Sequence, residues 1–80
     1  MPEDLPLRFR ELVANLNRFG VQQDTSHKAK GSVKKFQGQV EGRRQGYSLH
    51  AHSDNVEISK HVVRAVRERF KIPIDQFYAK

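Results

Sequence analysis

The stretch Tyr47-Ser48-Leu49-His50-Ala51-His52 decides how this chain is read. Apolar Tyr47, Leu49 and Ala51 alternate with polar Ser48, His50 and His52. A period of two marks a strand with one buried face and one polar face. Immediately before it, Gly42-Arg43-Arg44-Gln45-Gly46 is bracketed by glycines and reads as a hairpin loop. The partner strand is then Ser32 to Val40. Phe36 and Val40 share one parity and Val33 takes the other, so Val33 is expected to face away from Phe36. Val21 to Asp24 is a shorter strand ahead of this pair.

Helices flank these strands. From Leu5 to Arg18, Phe9, Leu12, Val13 and Leu16 recur at the spacing of one helical face. Asp4 is positioned to cap this helix, Pro6 suits its first turn, and Gly20 is a stop signal. A second helix is expected from Lys60 to Phe70, with Ser59 as N-cap and Ile58 and Val63 placed as a hydrophobic staple. Val62, Val63, Val66 and Phe70 form its buried stripe, and Pro73 ends it. Ile74, Phe77 and Tyr78 are expected to fold back over the core edge. This order predicts a single α+β domain over residues 1–80. Three antiparallel strands form one sheet, two helices pack on one face, and the other face is left for a ligand or partner.

Composition narrows the function. Eighty residues allow one domain with a modest core. There is no cysteine, which excludes disulfides, thiolate catalysis and Cys-type zinc sites and fits a reducing cytoplasm, the expected location. No apolar stretch reaches the length of a membrane span, and no signal-peptide run opens the chain, so no membrane partner is expected. The formal net charge is +6. Six cations against Glu41 alone give residues 26–44 a charge of +5. Such a concentrated patch either attracts a polyanion, with release of its counterions, or serves as a solvated surface.

The candidate phosphate contacts are Lys28, Lys30, Lys34, Lys35, Arg43 and Arg44, with Ser32 as a further donor. Tyr47 either stacks on a base or, by its parity with Leu49, joins the core. Lys60, Arg64, Arg67 and Lys71 form a stripe on the last helix. It extends the RNA surface, meets an acidic partner, or is partly consumed by an Arg64–Glu68 pair. His50 and His52 share the polar strand face. They contact RNA, begin a metal site, or are surface residues. A metal site needs a third ligand, for which only His61 or Asp54 is suitably spaced, and no ligand motif is present. No metal and no cofactor are therefore expected. His61 falls in a first helical turn and is expected to be exposed. No glycine cluster has the spacing of a phosphate loop, and no Ser/His/Asp order fits a triad.

Several short motifs together resemble the HicA-type toxin family. Lys30-Gly31-Ser32-Val33-Lys34-Lys35-Phe36 resembles the family's Lys-Gly-Ser-His-x-x-Phe stretch. Tyr47 to His52 is similar to its third strand, which often ends at a histidine where His52 stands. Glu57-Ile58-Ser59-Lys60 resembles the start of the closing helix, and Phe70-Lys71-Ile72-Pro73-Ile74-Asp75-Gln76-Phe77 the common ending. Phe19-Gly20-Val21 matches the end of the opening helix. The resemblance implies a helix–strand–strand–strand–helix fold akin to double-stranded-RNA-binding domains. It also implies a toxin–antitoxin role: binding of messenger RNA, its metal-independent cleavage as an endoribonuclease (mRNA interferase), and silencing by a HicB-type antitoxin.

The chain departs from the family at one critical position. The catalytic histidine belongs after Gly31 and Ser32, where this chain has Val33. An imidazole titrates near neutrality and can move a proton during attack of the ribose 2′-hydroxyl; valine cannot. Gly31 and Ser32 carry over as positioning residues, but the catalytic role does not carry over to Val33. Three explanations are open: a binding-only relative, another histidine (His27 or His52) in the role, or a histidine replaced so that a toxic protein can be made. Beside the toxin reading stand a non-catalytic RNA-binding module and a basic protein-interaction domain.

Overall fold

The structure, a computed structural model, describes residues 3–24 and 33–78. Its organising feature is the hairpin of β3 (Val33–Val40) and β4 (Arg43–His50). Glu41 and Gly42 connect them with φ of 53° and 78°. A two-residue turn with both φ positive has the twist that paired strands need, and it fixes the register. Val40 pairs with Arg43, and the ladder runs without a break to Val33 opposite His50. The expected loop over Gly42–Gly46 is therefore corrected to Glu41-Gly42, and Arg43 to Gly46 lie within β4. Two glycines bracket this stretch, but only Gly42 carries the turn conformation.

The short strand β2 (Gln22–Asp24) pairs antiparallel with the other edge of β3, giving the order β2-β3-β4. Gly38 lets β3 pass close to the start of β2: a Cβ there would lie 3.0 Å from Val21 Cγ2 and 3.3 Å from its Cα, so Val21 would have to shift. Two helices, α1 (Phe9–Asn17) and α2 (Lys60–Arg69), cover one face of this sheet. Phe9, Leu12 and Leu16 of α1 and Val63 and Val66 of α2 meet Phe36 and Leu49 in one buried cluster. The last turn, α3 (Ile74–Phe77), closes the cluster with Phe77, whose ring lies 6.4 Å from that of Phe19. The architecture is α+β, with a three-stranded antiparallel sheet and both helices on one side.

The start of α1 differs from expectation. Leu7 and Arg8 form β1, paired antiparallel with β5 (Glu57–Ile58), and this pairing holds the backbone extended up to Phe9. Pro6 consequently lies in the extended lead-in. Arg8 occupies the cap position, and its N–H donates to Glu11 Oε1 at 3.0 Å. Asp4 is too far from the helix to cap it and takes another role. Arg67 Nε and Nη2 each donate at 2.8 Å, one to each Asp4 oxygen, and the Tyr78 hydroxyl donates at 2.9 Å. Hydrogen bonds from Arg67 hold the Asp4 carboxyl below its usual range, against the opposing effect of burial. Burial raises the Tyr78 phenol.

The other helix ends follow their local signals. Gly20 (φ 78°) closes α1, with Val21 N–H donating to Leu16 O. Ser59 caps α2, its hydroxyl accepting from Val62 N–H at 3.4 Å. Ile58 and Val63, the staple pair, are both buried.

Candidate nucleic-acid interface

The register sorts every strand residue to one face. Directly opposed residues share a face, and neighbours along a strand alternate. Phe36 is opposite Tyr47 and Lys34 opposite Leu49 on the helix-covered side. The opposite, open side is built of four rows: Val33 with His50; Asp24, Lys35 and Ser48; Gln22, Gln37 and Gly46; Gln39 with Arg44. Apart from Val33 these are polar residues and one glycine. The Arg44 guanidinium donates to the Gln37 side-chain oxygen within this face.

This geometry divides the residues expected to act together. It places Val33, Lys35, Arg44 and His50 on the open face. Lys34 and Arg43 have the other parity, so the set of adjacent cations is split in two. Each Lys34-Lys35 and Arg43-Arg44 dipeptide contributes one charge per side because the backbone is extended. Among the described residues no carboxylate forms an ion pair with Lys35 or Arg44. His27, Lys28, Lys30, Gly31 and Ser32 lie outside the described residues.

His52 does not share the strand face with His50. Strand β4 ends at His50, and His52 falls in the following bend, where strand alternation no longer applies. Tyr47 is half-buried and takes the helix-covered parity, so it packs against the core. Among the described residues no cluster of three His, Asp or Glu is placed to hold a metal ion.

The cationic stripe of α2 is largely occupied by partners. Arg67 is held by Asp4, Arg64 pairs with Glu68 at 2.6 Å, and Lys71 pairs with Glu41 at 3.1 Å. His61 is exposed.

Two shallow depressions mark the open face. One is lined by Asp24, Lys35, Gln37, Gly46 and Ser48 of the open face, together with Phe36, Tyr47 and Arg69, the last residue of α2. The other includes Gln22, Gln37, Gln39 and Arg44. Gln37, Gln39, Gly46, Ser48 and Arg69 were not foreseen as site residues. Counting parity from Phe36 finds Gln37 and Gln39. Reading Glu41-Gly42 as a two-residue turn then finds Gly46 and Ser48. Arg69 depends on helix placement and leaves no signal in the strands.

These features define a small α+β protein with one open, polar, cationic sheet face. No protein-family model matches the chain, and no curated protein or solved structure is significantly similar to it. Among the described residues no helix is long and apolar enough to cross a membrane.

Proposed function

We propose that this chain binds messenger RNA across the open sheet face, as a HicA-like domain of dsRBD-like fold. Its partner in this reading is a HicB-type antitoxin, and its location is the cytoplasm. The observation that carries the reading is that Val33, Lys35, Arg44 and His50 all fall on one uncovered face, with His50 directly opposite Val33 and Arg44 toward the turn end of the hairpin. Cations not engaged by a protein carboxylate can exchange counterions for phosphates, and that exchange supplies most non-specific affinity.

The same grouping defines the chemistry of this chain. Val33 stands opposite His50, so a side chain at position 33 has its Cβ roughly 5 Å from that of His50. A histidine there would bring two imidazoles to one site, able to take and give a proton on opposite sides of a phosphodiester. With valine, one imidazole and the cations are left. The present chain therefore holds RNA and does not cut it.

The test is cleavage of a labelled messenger RNA by this protein and by Val33→His, side by side, with EDTA present. Cleavage by Val33→His alone is the expected result. Cleavage by both proteins would move the proton transfer to another residue, with His27 and His52 the next to substitute. Cleavage by neither, with binding retained, leaves an RNA-binding module. Affinity insensitive to salt would overturn the RNA reading and favour a protein-interaction domain.

A further inference from the structure

We infer that the depression over Gly46 seats a single unstacked nucleobase of a single-stranded RNA, an inference that rests on the RNA-binding reading above. Gly46 differs from the other described glycines. Gly20 and Gly42 have positive φ, and Gly38 is hemmed in by Val21. Gly46 has neither constraint: an added Cβ would meet only Phe36 O, at an ordinary 3.5 Å. Neither backbone nor packing requires glycine at this point of β4. What the missing side chain does is leave bare peptide as the floor of the depression.

The surroundings suit a planar, polar ring carried between phosphates. Same-face residues along a strand are about 6.8 Å apart, so the absent side chain opens a gap of about 14 Å between Arg44 and Ser48. Gln37 stands directly across from Gly46. Its side-chain oxygen accepts from Arg44, and its amide N–H groups are the donors it has to offer a ligand. Ser48 both donates and accepts. Arg69 of α2 is exposed and lines the same depression, and a guanidinium is a surface on which unpaired bases stack. Lys35 and Arg44 lie on either side for the flanking phosphates.

Charge selects the occupant. The face presents Lys35, Arg44 and Arg69 against Asp24, a net excess of cation that favours a polyanion. A duplex hides its base faces in the stack, and only a single strand can lay one on a flat floor. Phe36 and Tyr47 also line the depression, but both take the helix-covered parity, so neither ring is aimed at the open face. The seat therefore relies on peptide and guanidinium surfaces, which tolerate any base.

The experiment compares two ligands of equal charge by fluorescence anisotropy: an oligouridylate of about ten nucleotides, within the usual site size, and an abasic ribose-phosphate chain of the same length. The protein is expected to bind the oligouridylate about tenfold more tightly, as stacking of one base predicts. Gly46→Val fills the floor with a residue that suits an exposed strand. It should lower oligouridylate affinity to the abasic level and leave abasic affinity and the urea midpoint unchanged. If Gly46→Val does not fold, Arg69→Ala decides: loss of the preference supports the seat, and full retention overturns it. Salt-dependent binding of both ligands with no preference overturns the seat while the RNA reading stands. Binding of neither ligand removes both.

Discussion

Two cationic surfaces of this protein are opposite in organisation. On α2, the guanidinium of Arg67 is consumed by Asp4, and Arg64 and Lys71 have acidic partners on the surface. On the sheet, the pleat turns Lys35 and Arg44 to the open face and Lys34 and Arg43 to the other, and neither Lys35 nor Arg44 has a paired carboxylate among the described residues. The first arrangement stabilises the protein, and the second leaves charge available to a ligand. Net charge alone does not distinguish these two surfaces; pairing does.

The sharpest way to break this comparison is to remove the paired side. Arg67→Leu leaves the Asp4 carboxylate almost fully buried (8 % exposed) without its counter-charge. A loss of about 3 kcal/mol is expected, read as a lower urea midpoint. The Asp4 carboxyl titrates below its ordinary value in the folded protein, so its contribution is complete above about pH 4 and is lost as pH falls through the folded value. Acid unfolding should therefore steepen below about pH 4, and Asp4→Asn should flatten that limb while lowering stability at neutral pH.

Removing the unpaired side should do the reverse. Lys35→Ala with Arg44→Ala should weaken single-stranded RNA binding by roughly 10- to 100-fold and reduce the salt slope by about 1.4. The urea midpoint should be nearly unchanged, because both residues are cross-strand surface positions. Arg64→Ala with Lys71→Ala removes the same charge from α2. It should change RNA affinity by no more than about twofold, since those cations already have partners. Equal losses from the two double variants would show that charge count, and not pairing, governs binding. The smallest expected effect lies at the turn. Glu41→Asn suits the positive φ of 53° better and should raise stability by about 0.5 kcal/mol without altering RNA affinity.

Signals carried by neighbouring residues were legible in the sequence. Gly20 stops α1, Ser59 caps α2, and Val33 faces away from Phe36, as a few adjacent residues imply. The features missed depend on distant residues. Helix α1 starts late because Leu7 pairs with Ile58, and Asp4 is drawn to Arg67, 63 positions away. In the site, Lys35 could be separated from Lys34 by parity alone. Separating Arg44 from Arg43 required the turn, and a glycine at each end of Gly42–Gly46 hid which of the two bends the chain.

The contact between Asp4 and Tyr78 joins positions 74 apart in the chain. Mechanically the molecule is a ring whose buckle has several prongs, Tyr78 and Arg67 on Asp4 and the Leu5 N–H on the Tyr78 hydroxyl. Tension applied through the two extremities loads that buckle before it reaches the β3–β4 hairpin.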